Sequence, residues 1–345
     1  MRSFFAMFFF LYLSSSSIAG IHLPWERESD PLIMSGSMNH VFHELPLSGK
    51  IRNKNRLWSG DYWPLKLGNI NFRWYAKNKT GFNLNSPSRD EAKKMTLPEL
   101  ASLAPSEKYD LYTGRYDYPL KAQVARIANP KALLWEGICH GWAPATINHD
   151  EPRPKVLTNP DGIEIPFGST DIKALLSYYY AYGFHVNSTN QMGTRCENDK
   201  NCYEDLNAGA FHIVLTNRIA LEGKSFVIDT QRWIEVWNNP IKEYSTVIIN
   251  DNLPPINTSA RGTTKVIRLK TTITIPGDGE NRWQPILGTA FQDEEKIIYE
   301  YDLDIDSKGA IIGGIWRSQN RPDFLWHKAP PYRFDGLLYK LGHLL

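Results

Sequence analysis

Apolar and polar positions divide this chain into four stretches of different character. Residues 4–13 form an unbroken apolar run with five Phe, preceded by Arg2 and followed by a serine tract at 14–17. A run of about ten residues is half the ~20 needed to span a bilayer. With Ser17-Ile-Ala19 behind it, the run predicts a secretory signal peptide over residues 1–19, cut after Ala19 or Gly20. Residues 20 to about 55 are polar and weakly periodic, and read as a leader. Aromatic clusters at 58–63 and 71–75, separated by turn signals, predict a small N-terminal subdomain ending near residue 95. Helical signals then take over. Ser86, Ser88 and Asp90 offer caps to a helix over 88–103, and Pro98 opens a second turn as a first-turn proline. Residues 106–112 predict another short helix, residues 132–142 lead into a helix starting near Cys139, and Ser169 or Thr170 caps a helix that Gly183 ends.

From residue 211 onward β-branched and aromatic residues dominate. Runs at 211–216, 225–229, 247–250, 264–275 and 296–302 predict strands. Helices first and strands later imply an α+β domain over residues 96–345, an antiparallel sheet packed on helices.

Composition narrows the function classes. Of 345 residues, 42% are hydrophobic and 22% charged, as in a folded globular chain. Lys and Arg number 39 against 37 Asp and Glu, a net charge of +2 that supplies no basic footprint for nucleic acid. No window after the leader approaches a membrane span.

The three cysteines are the sharpest chemical signal. Cys196 and Cys202 flank a polar loop of five residues and fit a disulfide in an oxidising compartment. Cys139 is then left over, in Trp135-Glu-Gly-Ile-Cys-His-Gly-Trp-Ala-Pro144. Flanking glycines admit a substrate backbone. Pro144 fits the first turn of a helix, and a Cys at a helix N-terminus has its thiolate favoured by the dipole. The thiol is inert and buried, paired with another molecule, or a reactive nucleophile. A nucleophile needs a base and an orienter. His212, a lone imidazole in an apolar strand-like run, is the candidate base, and Asp229, ending the run 226–229, the candidate orienter. Each has a structural alternative: a satisfied core histidine and a strand-end turn aspartate. The alternating acids Asp302, Asp304 and Asp306 fail the calcium-loop pattern, because Ile315 stands where a bidentate Glu belongs, and read as a strand and hairpin turn. Asn78, Asn187 and Asn257 open glycosylation sequons.

The order Cys, His, Asp and the wider sequence resemble the elicitor-type transglutaminases of plant-pathogenic oomycetes and their bacterial relatives. The resembling segments are Pro46-Leu-Ser-Gly-Lys50, Trp58-Ser-Gly-Asp-Tyr-Trp-Pro64, 106–112, Cys139-His-Gly-Trp-Ala-Pro-Ala145, Ala208-Gly-Ala-Phe-His212, Asp229, 236–242, 313–316 and 321–326. The segment 236–242 departs from the family at Asn239, where Gln is expected. The resemblance implies a papain-like core and calcium-stimulated protein–glutamine γ-glutamyltransferase chemistry, with Ca²⁺ as cofactor. Cys139 would be nucleophile, His212 base and acid, and Asp229 orienter. The substrates would be proteins with accessible glutamine, and lysine or another primary amine. The Cys139 N–H and a Trp135 or Trp142 indole would hold the oxyanion. The alternatives are hydrolysis on the same residues, as a peptidase or glutaminase, and a secreted binding or elicitor protein without catalysis. The aromatic segment before residue 95 is expected to cover the nucleophile's groove.

Overall fold

The computed structural model describes residues 25–52, 57–76, 80–183, 189–195 and 206–345. The signal-peptide expectation, Asn78, Asn187 and the Cys196–Cys202 pair lie outside the described residues.

The order of elements is β1 (Ser48–Lys50), α1 (Arg89–Ala92), α2 (Leu97–Ala101), α3 (Pro105–Tyr112), α4 (Pro119–Ile127), α5 (Cys139–Asn148), β2 (Lys155–Thr158), β3 (Glu164–Phe167), α6 (Ser169–Tyr178), β4 (Thr189–Gly193), α7 (Ala208–Leu215), then β5 (Val227–Asp229), β6 (Asn238–Pro240), β7 (Glu243–Leu253), β8 (Lys265–Pro276), β9 (Glu294–Ile305), β10 (Ile311–Trp316) and β11 (Phe324–Lys328). The fold is α+β, as the sequence implies. A five-stranded sheet runs in the order β1-β7-β8-β9-β10 and a four-stranded sheet in the order β4-β11-β5-β6; all their pairings are antiparallel. β2 and β3 form a separate hairpin.

The four-stranded sheet separates two hydrophobic cores. Side chains alternate across a strand with period two. Accordingly Val227 and Trp326 face the core containing α3, α5 and α6, whereas Ile228 and Leu325 face the core containing α7 and the five-stranded sheet. Leu269, Ile273, Tyr299 and Leu303 from β8 and β9 fill the second core.

The helices begin where polar caps occur. The Ser88 hydroxyl accepts from the Glu91 N–H, and the Glu91 carboxylate reaches back to the Ser88 N–H. α6 is tied from below by a fully buried ion pair: Lys108 Nζ on α3 lies 2.6 Å from Asp171 Oδ2. The ammonium also sits 5.3 Å from the Trp283 ring centroid, and Asp171 accepts the Trp74 indole N–H at 2.8 Å. With its polar atoms satisfied, the pair fixes α6, on which α5 rests. α5 can lie this close because residue 141 is glycine. A Cβ there would fall 2.0 Å from the Ser177 carbonyl oxygen.

Two expected elements differ. The run 211–216 is not a strand but part of α7. Asn207 caps it, its side chain accepting from the Gly209 and Ala210 N–H groups. Every residue of α7 is buried, and a run that is apolar all round has no period to distinguish helix from strand. Pro144 lies in the middle of α5 rather than its first turn. Residues 20–95, expected to be a leader with a small subdomain, supply β1 to the large sheet, Trp58, Trp63 and Ile70 to the first core, and Trp25, Met34 and Leu45 to the second.

Candidate functional site

Cys139 is the first residue of α5, with Ile138 at the cap position, and is 6% exposed. Its Sγ donates to the Val236 carbonyl at 3.6 Å and receives the Asn238 Nδ2–H at 3.7 Å. Asn238 is held in turn: its Oδ1 accepts the Trp326 indole N–H at 2.7 Å. β5 and β6 pair with Asp229 opposite Asn238, so the two side chains share the face of the sheet turned to α5. Asp229 is fully buried. Its Oδ1 accepts the Trp237 N–H at 3.0 Å, and its Oδ2 has no hydrogen-bond partner.

Electrostatics put the thiol and the carboxyl under strain. Burial pushes the Cys139 thiol up, with the Asp229 charge adding to it; donors from Asn238 and the His140 backbone oppose the shift. The sequence argument from the helix dipole had the opposite sign. Desolvation wins because the sulfur is buried at a helix end that lacks a nearby cationic side chain. Burial also raises Asp229 to about 7, against the hydrogen bonds from Trp237 and Gln231. A carboxyl that titrates near neutrality beside a thiol can hold or release a proton at working pH.

The structure brings Cys139 and Asp229 together but not His212. The imidazole lies on α7, in the second core, on the far side of the four-stranded sheet. Its Nδ1 shares a 2.8 Å hydrogen bond with the Tyr301 hydroxyl, Phe42 lies over it, and Nε2 has no partner. Burial lowers it to about 3, so it is neutral. No hydrogen bond joins His212 to Cys139 or Asp229; the groups around the sulfur are Val236, Asn238 and Asp229. His140 is turned edge-on to Tyr182 and lowered to about 4 by burial and by Lys328. The oxyanion candidates also divide. The Trp142 indole N–H is committed to the Trp58 carbonyl at 3.3 Å, whereas Trp135 is half-buried on the loop before α5.

Asn238, Val236, Trp326 and Tyr62 were not singled out as site residues in the sequence. Asn238 lies within the segment 236–242 that carries the resemblance, and an amide in an orienter's place was the signal available. Tyr62 gives its carbonyl to the Ile138 N–H at 2.6 Å and its ring to Trp237, centroids 5.7 Å apart. The aromatic segment therefore stands beside the nucleophile.

The acids at 302–306 are occupied, as a strand and hairpin turn. Asp302 binds Arg268 and Arg317, Asp304 accepts the Ala260 N–H, and Asp306 accepts from Lys308 and Ala310. Among the described residues no three His, Cys, Asp or Glu side chains are grouped to hold a metal. Among them, too, no helix is long and apolar enough to cross a membrane.

A buried thiol opens a helix here, faced by an amide and a carboxylate from a neighbouring antiparallel sheet, and two comparisons say what the chain is similar to. The structure resembles the crystal structure of the GP42 transglutaminase from Phytophthora sojae, with a TM-score of 0.67 and 21% identity, over 89% of this chain and 93% of that one. Residues 127–261 match the family model described as Transglutaminase elicitor, a stretch that includes Cys139, Asp229 and Asn238. Over residues 127–261 the chain is thus similar to the transglutaminase elicitor family, and over most of its length it shares the fold of GP42. No curated protein matches it.

Proposed function

We propose that the protein is a secreted protein–glutamine γ-glutamyltransferase that works through a thioester on Cys139. The observation that carries this reading is the free, buried Cys139 held between Val236 and Asn238 beside the unpartnered Oδ2 of Asp229. Ionised Asp229 takes the thiol proton, directly or through water. The sulfur attacks the γ-carboxamide carbon of a glutamine, the C–N bond breaks, and the proton leaves with ammonia. A lysine amine then attacks the thioester; the new C–N bond forms as C–S breaks, and the excess amine proton passes to Asp229. Asn238 Nδ2 orients the sulfur, and the N–H groups at the start of α5 are suited to the oxyanion. The apolar run at 4–13 supports secretion. Calcium stimulation rests on the family resemblance.

The test is incorporation of a fluorescent primary amine into a glutamine-rich protein, with and without calcium, by the wild type and Cys139→Ala. Signal in the wild type alone is expected. Ammonia release without incorporation would make the protein a hydrolase, and equal signal from the alanine variant would remove Cys139 from the chemistry.

A further inference from the structure

Beyond the β5–β6 turn, on the side of Trp237, the two sheets leave a cavity of about 280 Å³. Trp237 stands between Val236 and Asn238, the two residues that touch the Cys139 sulfur. Its neighbours across the cavity are Ile275 on β8 and Ile297 on β9, with Gln231 at the inner end and Asp278 and Glu295 at the rim.

The rim charge is uncompensated. Desolvation raises Asp278 to about 7, and the neighbouring acids Asp61, Glu295 and Asp293 add to the shift. Among the described residues neither Asp278 nor Glu295 makes an ion pair; Lys242 and Lys270, which flank the same strands, are taken by Glu294 and Glu300. The backbone N–H groups of the wall residues Trp237 and Gln231 hold the Asp229 carboxylate, whose side chain faces α5. A divalent metal calls for a cage of oxygen ligands. This cavity instead offers an indole and two isoleucines among Thr230, Gln231, Asn239 and Asn320, with two carboxylates, which suit a short alkyl stem carrying a positive, hydrogen-bonding head.

Resting on the acyl-transfer reading, we propose that this cavity receives the cationic acyl acceptor, a lysine side chain or another alkylammonium. Its stem would lie along Trp237, Ile275 and Ile297, and the acidic rim would concentrate the cation beside the thioester. The rim raises the local concentration of ammonium; the amine is deprotonated before it attacks.

Two measurements test this. The first needs no turnover: 1,5-diaminopentane and the uncharged 1,5-pentanediol are titrated calorimetrically into the Cys139→Ala protein, with and without D278N and E295Q together. The diamine is expected to bind more tightly than the diol, and the double substitution to weaken the diamine about fivefold or more while sparing the diol. Equal binding of diamine and diol, diamine binding indifferent to the double substitution, or displacement of bound diamine only by low calcium with calcium binding lost in the variant, would overturn the proposal. The second compares KM for a cationic alkylamine with KM for hydroxylamine, which is mostly neutral at pH 8. The double substitution is expected to raise the first more than the second, and equal rises would overturn the assignment. Wild-type protein that neither releases ammonia nor incorporates amine would sink the acyl-transfer reading; the calorimetric result would still decide whether the cavity takes alkylammonium ions.

Discussion

His212 shows how burial decides what a histidine can do. In the unfolded chain its imidazole titrates near 6.5. Folding holds it neutral down to about pH 3, because it lies in the second core with one nitrogen on Tyr301 and the other unmet. The folded pKa is depressed, so below about pH 6.5 the unfolded state binds the proton that the folded state refuses. Stability is therefore lost progressively as pH falls from 6.5 toward 3, on the order of 2 kcal/mol from this group by pH 5. His140, lowered to about 4, adds a loss of the same sign. His212→Gln removes the titration without removing a polar partner for Tyr301. Urea denaturation at pH 7 and pH 5 should show a smaller stability difference for the variant than for the wild type. Amine incorporation at pH 8 should stay within about threefold of wild type, once folded protein is matched. A folded variant with activity reduced a thousandfold would return His212 to the chemistry.

The sequence singles out Cys139, Asp229 and His212; the structure brings the first two together and sets the third apart, and the difference is physical. Cys139 stands out because it is left over once Cys196 and Cys202 are expected to pair. Asp229 stood out because a carboxylate ends an apolar strand. His212 was assigned by residue type in an apolar run, and nothing in that run states which side of the sheet it occupies. The sign of the Cys139 shift was equally out of reach, since the dipole is local in sequence but the desolvation comes from Asn238, Val236 and the packed helices around the sulfur.

At the scale of elements, the short helices at 89–92 and 97–101 follow from side-chain caps that the sequence displays, Ser88 with Glu91 and Thr96 with Glu99. The strands β8 and β9 follow from their β-branched and aromatic runs. α7 does not, because eight consecutive buried positions carry no period. Nor does the position of Pro144 in α5, a helix held by its neighbours despite a missing N–H. Neighbours position that helix at Gly141 most of all. A Cβ there would meet the Ser177 oxygen of α6 at 2.0 Å and the Cβ of Ala181, in the helical turn that follows α6, at 2.8 Å. Gly141→Ala must push the helices apart or bend one of them, at a cost of about 3 kcal/mol. Because Cys139 is only two residues away, the sulfur moves with the helix. The expected outcome is a lowered denaturant midpoint with an unchanged m-value, and amine incorporation reduced more than the loss of folded protein accounts for. Unchanged stability would mean that α5 and α6 pack less tightly than this geometry.

At the scale of the whole molecule, the question is what the first fifty residues do. The sequence suggests a leader whose aromatic continuation covers the nucleophile. The described N-terminal chain has two different jobs. Tyr62 stands beside Cys139, but residues 25–52 run along the other core. Trp25, Met34, Leu45 and Ile51 are buried there, β1 pairs with β7, and Asn39 exchanges hydrogen bonds with Asn217 at the end of α7. Burying a large apolar side chain contributes roughly 1.5–3 kcal/mol. Four of them together rival the roughly 5–15 kcal/mol net stability of a folded domain. A detachable inhibitory segment should leave a stable remainder when cut away; a segment woven into the core should not. A chain beginning at residue 53 is therefore expected to aggregate or to lose its cooperative thermal transition, with no gain in activity. A soluble, cooperatively folded and faster truncated enzyme would reverse this conclusion and make residues 25–52 a removable restraint.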